Sequence, residues 1–151
     1  MSATVHIDVE PAGRAGLRTI LSLQHDPDTQ SLIVPHDREE HRQWSQDPNV
    51  VYLRMVDHRG DCGFIILALD HDGHSVELRC IVLSKTQRGR GQAAIVAAER
   101  WIRQKTGRGR IWLDVSDFNS RAQLIYEGLG YHKYGNGVRA GKSVLLYEKH
   151  L

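Results

Sequence analysis

The stretch SKTQRGRGQAAIVAAERW, residues 84–101, sets Arg88, Gly89, Arg90 and Gly91 directly ahead of an alanine-rich apolar run. Two positions without side chains let a ligand approach backbone N–H groups closely, and two guanidiniums add full positive charge. Where such a stretch opens a helix, its first N–H groups lack intrahelical partners and the helix dipole adds partial positive charge. That combination suits a pyrophosphate. It is not a P-loop, because no Gly-Lys-Ser/Thr follows, and the glycine spacing is not that of a dinucleotide fingerprint.

A second candidate is Glu77, a carboxylate in the middle of a strand pattern, where a charge is unusual unless it is paired or at work. Strict alternation puts Val76, Leu78, Cys80 and Val82 on one face and Glu77, Arg79 and Ile81 on the other. Arg79 could therefore neutralise Glu77 or help to place an acidic group of a substrate, and both readings stay open. His71 and His74 flank Asp72-Gly73 in a turn without a clear third ligand, so no metal is expected there.

These residues need a scaffold, and the hydrophobic periodicity predicts one. Strands are expected over Thr4–Glu10, Val50–Val56, Gly63–Leu69, Ser75–Leu83, Arg110–Val115, Gly130–Tyr134 and Ser143–Lys149. Helices are expected over Gly13–Leu23, Arg38–Gln46, Ala93–Gln104 and Asn119–Leu129, the second opened by Asp37 with Glu40 in capping-box position. The order β-α-α-β-β-β-α-β-α-β-β predicts an α+β fold, antiparallel in front with a β-α-β crossover behind. Trp101 and Trp112 read as core residues, and Trp44 as lining a cleft or capping the core. No repeat or linker interrupts residues 1–151, so one domain is expected.

The bulk composition, 40% hydrophobic and 25% charged, is that of an ordinary globular protein. No apolar run reaches the length of a membrane span, and Met1–His6 lacks the pattern of a signal peptide. Cys62 and Cys80 fit neither a disulfide framework nor a zinc spacing, so a cytoplasmic protein with free thiols is expected. The net charge of +2 hides an asymmetry. Residues 1–84 carry a net −6, residues 85–110 a net +7, and residues 111–151 a net +1. Cationic charge focused on the glycine-rich segment again points to a polyanionic ligand. The basic residues Arg100, Arg103, Lys105, Arg108 and Arg110 lack interleaved aromatics for base stacking, so nucleic acid is not the expected partner.

Arg88-Gly89-Arg90-Gly91-Gln92-Ala93 matches the spacing R-x-x-G-x-A, and Asn119, Ala122, Tyr126, Gly130 and Tyr131 fall on a second signature, Asn-x-x-Ala-x-x-x-Tyr-x-x-x-Gly-Phe/Tyr. On these two motifs and the element order, the chain resembles the GNAT superfamily of acetyl-CoA-dependent N-acetyltransferases over roughly residues 50–150. The resemblance implies a central, mixed but mostly antiparallel sheet of about seven strands with about four helices. One pair of strands would splay at a bulge to form the acetyl-CoA cleft. It implies that Arg88 through Ala93 hold the pyrophosphate and that main-chain groups of Ile81, Val82 and Leu83 pair with the pantetheine arm. Asn119 would bond the pantetheine, beside the plain reading of a helix N-cap, and Arg121 would reach a phosphate. Tyr126 would protonate the departing thiolate, beside the plain reading of a core tyrosine. Glu77 would act through water as general base. Ser84 stands where proline is common, Gln92 where an aliphatic residue is usual, and the interval from Glu77 to Arg88 is about one residue longer than in relatives with that glutamate.

The expected activity is therefore direct transfer of acetyl from acetyl-CoA to a primary amine, a small molecule or a peptide N-terminus or lysine, without an acyl-enzyme. The alternatives are a CoA-binding sensor without catalysis and transfer of another acyl group. No metal, nucleic acid or membrane is expected to take part, and the resemblance allows a homodimer.

Overall fold

In the computed structural model, residues 7–12, 29–31, 38–44, 46–58, 60–84 and 90–151 are described. The expected helix Gly13–Leu23, the cap at Asp37, and Arg88 and Gly89 lie outside them.

The central strands of one mixed sheet bury their apolar residues against helices on its two faces. Its strands are β1 (Asp8–Pro11), β2 (Thr29–Ser31), β3 (Val50–Asp57), β4 (Gly60–Leu69), β5 (Ser75–Ser84), β6 (Arg110–Ser116), β7 (His132–Arg139) and β8 (Lys142–His150). The helices among the described residues are α1 (Arg38–Trp44), α2 (Arg90–Lys105) and α3 (Ser120–Gly128). The strand order is β1-β3-β4-β5-β6-β8-β7, with the short β2 paired onto β5. All pairings are antiparallel except β5 with β6. Among the described residues no helix is long and apolar enough to cross a membrane.

Two apolar clusters mark the two faces. On the first face Leu53, Ile65, Leu67, Val76, Leu78, Ile81, Leu113 and Val115 pack with Ala94, Ile95, Ala98 and Ile102 of α2 and Ala122 and Tyr126 of α3. On the second, Phe64, Ile66, Cys80 and Val82 pack with Tyr52 and Trp44, the last residue of α1. Ala94, Ala97 and Ala98 of α2 are fully or nearly fully buried, so the helix lies close on the sheet. Trp101 packs against the first cluster as expected, but Trp112 sits on the second face, half-buried, with its indole N–H donating to Asp70 Oδ2 at 2.6 Å.

The face assignment of β5 needs a correction. Its pairing with β4 runs Leu67↔Leu78 and then Ile66↔Cys80, so Arg79 is an extra residue without a counterpart. This β-bulge reverses the alternation beyond it. Val76 and Leu78 share the α2 face with Ile81 and Leu83, while Cys80 and Val82 lie on the face of Glu77. Periodicity alone cannot show such an insertion, because both phases leave an apolar run. β4 comes close enough here that a Cβ on Gly63 would run into the Val82 carbonyl.

Candidate active site

The decisive geometry is where β5 and β6 part. Their parallel pairing covers only Ser75↔Arg110, Val76↔Ile111 and Glu77↔Trp112. Beyond it β5 continues beside β4 as far as Leu83↔Gly63, and β6 continues beside β8 to Ser116↔Val144. The β5 edge from Leu78 onward is therefore not paired with β6. At its far end Thr29, Gln30 and Ser31 pair with Ser84, Leu83 and Val82. Since β4 already occupies the other edge of Val82 and Leu83, β2 lies on the edge facing the gap.

Of the residues expected to hold a pyrophosphate, Arg90 through Ala93 form the first turn of α2, which starts three residues earlier than periodicity suggested. Their N–H groups are thus those a helix leaves without intrahelical acceptors. Gly91 is buried, Gln92 exposed and Ala93 half-buried. The first turn holds no acid, so nothing in it opposes an anion. The basic segment is not all available for ligands. Arg108 Nη1 donates to the carbonyls of Asp70 and Ser75 at 2.7 and 2.9 Å, and Arg110 pairs with Glu148 at 3.1 Å.

Asn119 is the N-cap of α3, its Oδ1 accepting from the Ala122 N–H at 3.1 Å. The plain reading of this residue is thereby met, and a ligand role would fall to its amide N–H₂. Arg121, two residues on, is exposed in the first turn. Ala122 is fully buried, which brings α3 down onto the sheet.

Tyr126 lies one turn further along α3, fully buried, and its hydroxyl has no hydrogen-bond partner among the described residues. A buried hydroxyl without a partner costs about 1–3 kcal/mol, so this one is a cost the fold carries unless a ligand meets it. Burial raises its pKa above the usual tyrosine value, and the Cys80 and Asp114 side chains add to the shift. Those two residues belong to the facing edges of β5 and β6, so the hydroxyl sits within electrostatic reach of the gap. It keeps its proton at any ordinary pH. Tyr131, next to it at a ring distance of 5.5 Å, is satisfied by contrast and donates to Glu99 Oε2 at 2.7 Å. Cys80 itself is pushed up to about 12 by burial, which leaves it a neutral thiol and no nucleophile.

On the second face, Glu77 Oε1 accepts from Arg79 Nη2 at 2.8 Å and Nε at 3.0 Å. The ion pair left open by the sequence is therefore present. Burial nevertheless raises the Glu77 pKa above the usual carboxylate value, against the opposing pull of Arg79. Arg79 lies over the Trp44 ring at 4.8 Å, and Trp44 itself packs against the second cluster, the core-capping reading of that residue. Sequence reasoning missed a second pair, Arg139 Nη1 to Asp114 Oδ1 at 3.0 Å. The alternation of β6 could have flagged Asp114 as opposite to Leu113 and Val115, but its partner on β7 is distant in sequence.

In the turn before β5, Asp72 accepts from the N–H groups of His74 and Ser75, each at 2.8 Å, and from the Ser75 hydroxyl at 2.6 Å. Its carboxylate is thus used in closing the turn. Among the described residues no three His, Cys, Asp or Glu side chains converge as a metal site.

No curated protein matches the chain in sequence. The fold is similar to solved structures of the spermidine N-acetyltransferase SpeG from Vibrio cholerae. A point mutant matches with a TM-score of 0.77 at 17% identity, covering 96% of this chain and 94% of that one. A complex with CoA and spermine matches with a TM-score of 0.76 at 17% identity, covering 96% and 95%. A complex with manganese ions gives 0.73 at 18%, covering 96% and 92%. The model of the acetyltransferase (GNAT) family matches residues 17–131, which span the parted strands, the opening of α2 and the tyrosine of α3. The chain belongs to the acetyltransferase (GNAT) family.

Proposed function

We propose that the protein transfers an acetyl group from acetyl-CoA to a primary amine, by direct attack of the amine within a ternary complex. The observation that carries this reading is the Tyr126 hydroxyl, buried without a partner among the described residues and within the electrostatic reach of Cys80 and Asp114 on the two strands that part. The donor supplies an acetyl thioester. The chain's own residues hold it and move protons.

The first-turn N–H groups of α2, with Arg88 and Gly89 ahead of them, would hold the pyrophosphate. Main-chain groups of Ile81, Val82 and Leu83 would pair with the pantetheine arm as an added strand. Because β2 already pairs with Val82 and Leu83, it has to leave that edge for the arm to enter. The Asn119 side-chain amide and Arg121 would add contacts from the start of α3. Tyr126 donates its proton toward the sulfur as the carbon–sulfur bond breaks, a role that suits a hydroxyl with no other acceptor among the described residues. Glu77, with its raised pKa, is a better proton acceptor than an ordinary carboxylate and takes the proton lost by the amine through water.

Isothermal titration with acetyl-CoA, followed by thiol release across a panel of amines, tests the reading. Binding in the micromolar range and amine-dependent thiol release are expected. Binding without release for any amine would favour a CoA-responsive sensor, and preference for a longer acyl donor would replace acetyl in the assignment.

A further inference from the structure

Four charged side chains stand around the point where β5 and β6 part. Glu77 is the last β5 residue paired with β6, opposite Trp112, and Asp114 follows Trp112 by two residues on the same face of β6. Each carboxylate is bound to a guanidinium, Glu77 to Arg79 at 2.8 Å and Asp114 to Arg139 at 3.0 Å. Their side chains are between 12% and 23% exposed, buried enough to feel a low dielectric and open enough to reach. The two pairs sense one another: Asp114 pushes the Glu77 pKa up and Arg139 pulls it down. Arg79 is held against Trp44. Together the four charges sum to zero.

That neutrality bears on what can enter. A polyamine brings several positive charges and gains most from carboxylates that lack a partner. Here both carboxylates already hold a cation, and an incoming polycation would meet two guanidiniums. A molecule carrying one ammonium and one carboxylate can instead exchange partners with the existing pairs. Its carboxylate takes an arginine fork, its amine takes Glu77, and no buried charge is left alone. Arginine is the suitable cation, since its planar fork meets a carboxylate with two parallel bonds.

We propose that the acceptor is an amine with its own carboxylate close by, as in a free amino acid, with Arg79 and Arg139 as the carboxylate-binding residues. The proposal rests on the acetyl-transfer reading above and adds the acceptor class. It sets this chain apart from the spermidine acetyltransferases whose fold it shares.

The test needs the purified full-length enzyme, acetyl-CoA, free amino acids, the corresponding amino-acid amides, and spermidine. An amide keeps the amine and side chain and removes only the carboxylate charge. We expect kcat/KM for the preferred amino acid to exceed that for its amide and for spermidine by about 30-fold or more, the usual size of one buried charge contact. Replacing the guanidinium in Arg79→Gln or Arg139→Gln should shrink the amino-acid-to-amide ratio by about tenfold, chiefly through KM. Arg79→Lys should restore part of the ratio. Should a glutamine variant not fold, the wild-type comparison of acid with amide still decides.

An amide or spermidine used within tenfold of the best amino acid would overturn the acceptor class while leaving acetyl transfer intact. A ratio unchanged in a folded arginine variant would remove that arginine from the site. No acetyl-CoA binding in the titration would sink the underlying reading instead, so the two failures are distinguishable.

Discussion

Two polar clusters of this molecule lie one aromatic ring apart and are built on opposite rules. In the first, Tyr131, Glu99 and Lys149 close on one another: the tyrosine hydroxyl and the lysine ammonium both donate to the buried Glu99 carboxylate, at 2.7 and 3.1 Å. Every polar group in it has a partner. In the second, the Tyr126 hydroxyl has none among the described residues, and on the other face of the sheet, where β5 and β6 part, burial lifts the Glu77 pKa. A buried network that is satisfied holds a fold together, whereas one left open is a stability cost. Residue type and burial do not separate these two tyrosines. What the hydroxyl meets does.

The sharpest way to break the comparison is to delete each hydroxyl. Tyr126→Phe should lower turnover by about 100-fold or more, the range for loss of a positioned proton donor. Its unfolding midpoint should stay level or rise, because a buried hydroxyl without a partner is removed. A variant of undiminished turnover would make Tyr126 a packing residue. Next in size, Glu99→Ala strands the Lys149 ammonium and the Tyr131 hydroxyl at once. About 3 kcal/mol of stability should be lost, the low end for a broken buried pair because Lys149 is partly exposed. Denaturant unfolding reads that loss directly. In the folded fraction, kcat should stay within about threefold, or the two clusters are not separate in role.

A smaller effect concerns the edge that the donor must use. With Thr29→Cys and Ser84→Cys, which replace opposed residues of β2 and β5, oxidation would fix β2 in place. Acetyl-CoA affinity should then fall by about tenfold or more and return on reduction. Equal affinity in both redox states would mean that β2 and the pantetheine arm do not compete.

Most of this fold was legible because its strands alternate or form short apolar runs and its helices carry caps, as at Asn119. The site motifs were legible for a related reason: glycines before a helix and Asn-Ala-Tyr at one-turn spacing act within single elements. The residues that escaped act between elements. Arg79 is the extra residue of a β-bulge, visible only when β4 is laid beside β5, and it turned Cys80 to the other face. Asp114 and Arg139 meet across β6, β8 and β7, a distance of 25 residues in sequence. The strand β2 was not expected at all, since three residues, Thr29-Gln30-Ser31, carry no period, and only an open β5 edge makes them a strand.

The smallest effect lies in the pH profile, and its sign separates the two readings of Glu77. Burial raises the Glu77 pKa above its value in an unfolded chain, so the folded protein holds that proton more tightly. By linkage, stability is greater below the unfolded-state pKa and declines as pH rises through the window up to the folded-state pKa. Activity runs the other way, since a base works only when deprotonated. The acidic limb of kcat/KM should therefore fall above the ordinary carboxylate range, in the same window where stability declines. Glu77→Gln should abolish that limb and lower kcat/KM, while Tyr126→Phe should lower the whole profile without moving the limb. A limb that persists in Glu77→Gln would assign it to another group and leave Glu77 as the partner that fixes Arg79 over Trp44.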